Sequence, residues 1–429
     1  MTGILVGGDP RPLVDWTEGA ARLRVPQPRS MRGPGTVDGE LFFNPAMAPS
    51  RDLAMVVPAL WFALHPRRGS EPLRAIDPMA GSGVRAIRWA AELGLEVVAN
   101  DIDSSARTAT IANLALTSAH LAASNPQVAA ALEQRVAVHD RPAHLLLAQE
   151  RAHLIDIDPF GSPIHLVAAA TGALAYRGLL ALTATDTPVL CGAMPEPAMA
   201  RYGAVPLRCP ITKELGLRIL VGAAVRIAAN QGRALRPVLC HVSDHHMRAY
   251  LGCAGGSTTH FLQESVRQLG WVRYDRTVGV GTFVDAPQPG WNAQGPRTAT
   301  IRSQQNLPAD VGPLWTGPLF DPELIATWAS TASAWDIPSV SQPCTGILPS
   351  ASAPLARLQA ALIDESPADL LPMDLPTQGR LLRCSLPRKT ELIARLQLLG
   401  ARASGTHIDG QGIRTDAPIA TVQGLLSPR

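Results

Sequence analysis

Lysine is nearly missing from this chain. Lys213 and Lys389 are the only two, and every other basic side chain apart from histidine is an arginine. In a sequence this rich in Ala and Pro, that bias fits a chain-wide compositional preference better than a device for gripping phosphates with guanidinium forks. Cysteine is scarce too. The six thiols, Cys191, Cys209, Cys240, Cys253, Cys344 and Cys384, include no pair at C-x-x-C spacing. That argues against a zinc ribbon or a disulfide frame and leaves reduced, mostly buried thiols. No apolar run is long enough to span a bilayer, and Met1–Pro12 lacks the basic-then-apolar layout of a signal peptide. A cytoplasmic protein with no membrane contact is therefore expected. Net charge is only +3, which permits a polyanionic partner without requiring one.

What is present is a chain of 429 residues with 46% hydrophobic content, too long for one ordinary core. The Pro/Gly-rich stretch 287–296 reads as a linker. It suggests a first domain over 1–280 and a second over 281–429. In the first, short apolar runs end in acids and most are followed by helical patterns. The acids are Asp77, Asp101, Asp140, Asp158 and Asp186. This alternation predicts an α/β fold, a doubly wound Rossmann-like parallel sheet with a ligand across its strand tips. In the second domain, expected helices at 355–363, 376–383 and 387–400 precede a two-stranded tail. That order suggests a smaller α+β, winged-helix-like unit.

The strand tips divide the chemistry. Gly81 and Gly83 lie between the first strand and a helix, where small residues let the backbone approach a ligand and free N–H groups point at it. Asp101 falls 18 residues after Gly83 at the next tip, placed to hold two ribose hydroxyls. Asp103 could serve instead or cap the following helix. Asp140, at the third tip, stands where a purine amino group would be. Upstream, Phe42-Phe43-Asn44-Pro45 precedes a helix for which Ser50 is the expected cap. Arg51 then lies in the first turn, where a cation opposes the helix dipole. It needs an anionic partner, either a structural carboxylate such as Asp52 or a ligand carboxylate. An adenosine-bearing methyl sulfonium, S-adenosyl-L-methionine, fits this half of the sheet.

The fourth tip, Asp158-Pro159-Phe160-Gly161, combines a carboxylate, a rigid turn, an aromatic face and a glycine. These are tools for holding a flat ring that bears an amine. Such an amine is a poor nucleophile because its lone pair is delocalised. Asp158 and the carbonyl of Pro159 would accept its N–H groups, and Phe160 would stack on the base. Asp158 would either take the released proton or only orient the nitrogen. His241, Asp244, His245 and His246 read as polar positions along a strand, and no metal is expected.

Together these stretches resemble the tRNA (guanine-26-N2)-dimethyltransferases, a family of class I methyltransferases. The resemblance rests on Phe42-Phe43-Asn44-Pro45 with Arg51-Asp52; Ala80-Gly81-Ser82-Gly83-Val84-Arg85; Asn100-Asp101; Asp156-Ile157-Asp158-Pro159-Phe160-Gly161-Ser162-Pro163; Thr183-Ala184-Thr185-Asp186; and Tyr202-Gly203-Ala204-Val205-Pro206-Leu207. Farther on, Gly312-Pro313-Leu314-Trp315 and Thr406-His407 with Thr415-Asp416-Ala417-Pro418 match as well. It implies S-adenosylmethionine, a tRNA partner, and one or two methyl groups placed on guanine N2. It also implies that Arg51, Arg85 and Asp101 contact the cofactor, that Asp158 is the catalytic acid/base, and that Phe42 and Phe160 are aromatic contacts. Three departures stand out. Cys253 alone occupies the region where several members carry a four-cysteine insertion, Ser50 replaces a usual Asn, and Arg414 replaces a usual Lys. A monomer is favoured.

Rival readings are an amino-methyltransferase acting on ribosomal RNA or DNA and a catalytically silent tRNA-binding module. A nucleotide-dependent dehydrogenase leaves Asp158-Pro159-Phe160-Gly161 without a role.

Overall fold

The computed structural model describes residues 11–31, 41–66, 72–243, 245–253, 258–286, 309–330, 353–365 and 370–426. The linker at 287–296, most of the Pro/Ser-rich stretch 337–354, Asp244 and Cys344 lie outside them.

A ribbon of β1 (Leu13–Glu18) and β2 (Ala21–Pro26) opens the chain, followed by α1 (Ala48–Leu64). The next alternation is β3 (Arg74–Asp77), α2 (Val84–Glu92), β4 (Glu96–Asn100), α3 (Ser104–Ser124), α4 (Pro126–Arg135) and β5 (Val136–His139). Then come α5 (Ala143–Gln149), β6 (Ala152–Ile157), α6 (Ile164–Ala173) and β7 (Leu174–Ala184). Short α7 (Thr187–Leu190) and α8 (Pro195–Tyr202) lead into α9 (Thr212–Ala229), and the hairpin β8 (Leu235–Val242) and β9 (Met247–Cys253) closes the main sheet.

That sheet has seven strands in the order β5-β4-β3-β6-β7-β9-β8. The five strands β3–β7 pair in parallel, as the acid-tipped pattern predicts, β8 runs in the same direction, and β9 alone of the seven runs antiparallel. Strand order reverses direction at β3, so the crevice beyond the tips of β3, β4 and β6 is the place for a ligand. The strands read as continuous apolar runs because both faces are covered. Ala75, Val97, Leu154 and Leu179 face one core, with Trp61, Trp89 and Trp328. Their neighbours Ile76, Val98, Ile155 and Leu180 face the other, with Leu166, Leu217 and Leu220. Two of the buried indoles keep a partner, since Trp61 Nε1 donates to the Arg177 carbonyl at 2.9 Å and Trp89 Nε1 to that of Ala54 at 2.8 Å.

Two expectations at helix ends are corrected. Ser50 is not the cap of α1. Asn44 caps a preceding 3-10 turn, Pro45–Met47, by accepting from the Ala46 N–H at 3.0 Å, and that turn runs straight into α1. Prolines at the first helical positions permit the earlier start. At the other end the chain does not finish on a two-stranded ribbon, because a helix over Ile419–Leu426 follows it.

Beyond the main sheet, α10 (Thr258–Arg267) leads to β10 (Leu269–Asp275) and β11 (Val280–Val284), which join β12 (Ala309–Trp315) in a three-stranded sheet. This sheet links residues on both sides of the boundary drawn at 280. Helices α11 (Pro322–Ser330) and α12 (Ala353–Asp364) follow. The last unit is β13 (Met373–Asp374), α13 (Leu375–Leu382), α14 (Lys389–Leu398), β14 (Ala403–Gly405), β15 (Gly412–Thr415) and α15 (Ile419–Leu426). It has its own core around Leu392, Leu396, Ile413 and Val422. A buried ion network ties it to α9. Arg414 binds Glu214 at 2.7 Å and Glu365 at 2.5 Å, and His407 Nδ1 meets Glu365 at 2.5 Å. No described helix is long and apolar enough to cross a membrane.

Candidate active site

The loop after β3 is shaped by two glycines. Gly83 has φ +75°, and a Cβ there would lie 2.7 Å from Thr110 Cγ2 on α3. No side chain fits, so the loop packs tightly onto α3 before α2 begins. The N–H of Gly81 donates to Asp101 Oδ2 at 2.9 Å, and the N–H of Asp103 donates to Asp101 Oδ1 at 3.0 Å. Asp101 is thus aimed by two backbone donors, with a lone pair on each oxygen still open to hydroxyls. Asp103 is the cap of α3, accepting from the Ser105 N–H. Asp140 lies exposed past β5. Its loop is tied to the tip of β4 through Asn100, whose side chain bonds the Arg141 N–H and carbonyl.

Between the tips of β3 and β6 sits a knot of charge. Arg85, from the first turn of α2, puts Nη2 2.6 Å from Asp158 Oδ2, Nε 3.2 Å from Asp156 Oδ2 and Nη1 3.8 Å from Asp77 Oδ2. Arg248, from β9, forks Asp156 from the other side, with Nη1 donating to Oδ1 at 3.0 Å and Nη2 to Oδ2. Three carboxylates thus meet two guanidiniums. One negative charge is left over, and Asp77 Oδ1 is buried without a partner. Burial pushes Asp77 up to about 7, helped by Asp156 and Asp158 and opposed by Arg85. For Asp158 burial also works upward, but Arg85 and Arg248 outweigh it and hold the carboxyl down at about 2. Asp158 is an anion at neutral pH. This knot is a good fit for a cationic ligand, which would supply the missing positive charge.

The four-residue tip is pinned from the next strand. The Gly161 N–H donates to Thr185 Oγ1 at 2.6 Å, and the Thr185 N–H donates back to the Gly161 carbonyl at 2.9 Å. Gly161 itself has φ +84°, which a residue without Cβ accepts readily. Phe160 projects into solvent at 63% exposure. It meets Phe42 edge to face with ring centroids 4.8 Å apart, so two distant sequence motifs form one aromatic corner beside Asp158.

Both arginines have carboxylate partners within the chain. Arg51 has a structural partner, but it is Glu18 of β1 and not Asp52. Nε and Nη2 each lie 2.6 Å from a Glu18 oxygen, and Nη1 donates to the Asn44 carbonyl at 3.1 Å. Asp52 pairs with Arg88 instead. Arg85 is turned to the acid knot, where its nearest partner is Asp158. Three residues of the site were assigned no role in the sequence reading: Asp156, Arg248 and Asp77 as an acid in its own right. A buried Asp within the otherwise apolar run Leu154–Ile157 is a usable signal for a hidden cation. Which arginine supplied it was not legible.

A seven-stranded sheet with an antiparallel β9, a glycine loop at the reversal point and acids on the tips defines a Rossmann-like methyltransferase. The family model for N2,N2-dimethylguanosine tRNA methyltransferase matches residues 19–427. Similar proteins include the tRNA (guanine(26)-N(2))-dimethyltransferases of Pyrococcus abyssi, 31% identical over 97% of this chain and 99% of that protein, and of Methanosphaerula palustris, 32% identical over 97% and 99%. The solved structure of Trm1 from Pyrococcus horikoshii in complex with S-adenosyl-L-methionine superposes with a TM-score of 0.76, at 26% identity, over 97% of this chain and all of that one. The chain belongs to the N2,N2-dimethylguanosine tRNA methyltransferase family.

Proposed function

We propose that this protein transfers methyl groups from S-adenosylmethionine to the exocyclic N2 of guanine 26 in tRNA, once or twice per guanine. The observation that carries the reading is the meeting of an anionic Asp158 with the Phe42–Phe160 corner at the strand tip next to the glycine loop. When bound, the cofactor supplies an electrophilic methyl on a cationic sulfur. Gly81, Gly83 and Asp101 would hold its loop-facing and ribose parts, and Asp140 its purine. Arg51 and Arg85 are committed to carboxylates. They would reach the cofactor with one nitrogen each or act through Glu18 and Asp77.

Asp158 does the positioning. Arg85 occupies Oδ2 and fixes the plane of the carboxylate, leaving Oδ1 to accept an N2–H. A second acceptor is the Pro159 carbonyl in the turn. Drawing both hydrogens to fixed acceptors aims the nitrogen lone pair out of the base plane, toward the methyl group. Phe160 and Phe42 give the base an apolar seat. tRNA would be held by the winged-helix-like C-terminal unit, where Arg383 and Arg388 are exposed around the α13–α14 connection. A cytoplasmic monomer, working without metal, completes the proposal.

The experiment is a methylation assay on tRNA, ribosomal RNA and duplex DNA, paired with cofactor titration of wild type and Asp101→Ala. Label transfer to tRNA alone, with cofactor affinity at least tenfold weaker in the variant, is expected. Transfer to ribosomal RNA or DNA in preference to tRNA refutes the substrate. Failure to bind cofactor refutes the activity.

A further inference from the structure

His246, just before β9, stands two residues from Arg248 on that strand, as Asp158, just past β6, stands two residues from Asp156. Side chains two apart on a strand share a face. Strand β7 lies between them, with Thr183 paired to Arg248 and Ala184 to Met247. The pairing ends there, and His246 is the next residue toward the ligand edge, as Thr185 is on the β7 side. Arg248 reaches past Thr183 to Asp156. His246 is buried at 4% exposure, and the strand alternation sets it on the same face as Arg248, the face toward Asp158. The two are not hydrogen bonded to each other. Ser243 Oγ lies 2.5 Å from His246 Nδ1 and 3.3 Å from Nε2, so Nδ1 is its nearer partner, and Asp158 is held by Arg85 at 2.6 Å. The Asp158 carboxylate nonetheless favours a proton on His246, opposing the burial that keeps the ring neutral. A carboxylate and an imidazole therefore flank one space, at the tip where the amine is seated.

We propose that His246, with Nδ1 hydrogen bonded to Ser243, takes the proton that leaves guanine N2, while Asp158 orients the amine and stabilises the imidazolium that results. This rests on the methyl-transfer reading. The N2 lone pair forms the new N–C bond as the carbon–sulfur bond breaks toward sulfur. One N2–H bond then breaks, its pair returns to nitrogen, and the proton goes to His246 Nε2. It leaves to solvent before the next turnover.

Two arguments favour His246 over Asp158 as the acceptor. Protonating Asp158 would weaken its bond to Arg85, whereas protonating His246 adds an attraction to Asp158. His246 is also neutral and available. Burial lowers it to about 4, with Arg248, His245 and Arg85 pulling the same way and Asp158 pulling against them. His241 packs edge-on behind it at 5.8 Å and is likewise kept neutral by burial. A weak base suffices here. The nitrogen made cationic by attack is a far stronger acid than imidazolium, because losing the proton restores delocalisation of its lone pair.

Two measurements test this on the full chain. The first is 15N NMR of the histidine ring nitrogens in the ligand-free protein, with Ser243→Ala to assign the signal. The proposal expects the proton on Nδ1 of His246 and a change in that signal in Ser243→Ala. A proton resting on Nε2 overturns it. The second is single-turnover methylation by His246→Gln, alongside cofactor and tRNA titrations. Affinities within about threefold of wild type and a rate lower by about 10²–10⁴-fold are expected, the range for a lost acid–base group. A rate within fivefold of wild type at intact affinity overturns the assignment. Should wild type itself fail to methylate tRNA, the methyl-transfer reading fails and this proposal with it. A wild type that is active beside a fully active His246→Gln sinks the His246 role alone.

Discussion

Arg248→Met isolates the buried pair beneath the site. In the folded protein Arg248 and Asp156 are both fully buried, and the guanidinium satisfies both carboxylate oxygens, Thr183 Oγ1 and Tyr250 Oη. Removing one member of such a pair leaves an uncompensated charge and typically costs about 3–5 kcal/mol. Arg85 still approaches Asp156 at 3.2 Å, but without hydrogen-bond geometry at its Nε, so it offsets only part of the loss. The lower end, about 3 kcal/mol, is expected. Asp156→Asn in the same background removes the orphaned charge. The double variant should then regain about 2 kcal/mol relative to Arg248→Met, because an apolar or neutral replacement of a whole buried pair is far milder than breaking it. Urea unfolding of all four proteins at pH 7.5, followed by near-ultraviolet circular dichroism, reads these differences as midpoint shifts at constant slope. Arg248→Met within 1 kcal/mol of wild type, or strictly additive single effects, refutes the view that this pair is a closed buried unit.

Four further outcomes follow from the same geometry. Gly83→Ala combines a positive φ with a Cβ 2.7 Å from Thr110, so it should lose about 2 kcal/mol or more and most cofactor affinity; a wild-type melting temperature with normal titration contradicts the packing account. Asp77 has a folded value near 7, above its unfolded 3.8. Its contribution to stability is therefore complete below the unfolded value, falls as pH rises and is gone above about 7. Asp77→Asn should gain on wild type by about 2 kcal/mol between pH 5.5 and 8.5, and parallel stability curves would speak against a titrating Asp77. Reversing Arg383 and Arg388 to Glu should weaken tRNA binding and flatten its log–log salt dependence by about one to two units, with cofactor affinity unchanged; an unaltered slope removes both from the RNA surface. Arg414→Leu leaves Glu214 with Arg218 and Glu365 with His407 but cuts the link between them, so the C-terminal unit should become the first to exchange amide hydrogens; uniform exchange across the chain counts against the network as its anchor.

What could be read from the sequence was local. Apolar runs ending in Asp77, Asp101, Asp140 and Asp158 announced strand tips because a parallel sheet is buried on both faces and its strands carry no alternation. The Asp158-Pro159-Phe160-Gly161 tip stood out for the same reason, since four such residues at the end of a buried strand need an explanation beyond a turn. What was missed depends on pairing between distant segments. Arg51 was known to need an anion, yet Glu18 lies on a ribbon whose docking nothing local specifies. His246 reads as a polar position on a strand, and Arg248 carries no signal of its own. They become part of the site only because β9 enters the sheet antiparallel beside β7, bringing its first residues to the ligand edge. The same holds for His407, which meets Glu365 just past α12 and the Cys240 carbonyl on β8, and for Arg414, which meets Glu214 on α9 and Glu365.

The central claim is that Asp158 and the aromatic corner present guanine N2 of tRNA to the methyl donor. Mass-spectrometric mapping of nucleosides from bulk tRNA, after incubation with wild type or Asp158→Ala and S-adenosylmethionine, tests it most directly. The account predicts N2-methyl- and N2,N2-dimethylguanosine at position 26 with wild type. It predicts neither with the variant, although calorimetry still shows the variant binding cofactor. Methylation at another atom or base, or full product from Asp158→Ala, contradicts it.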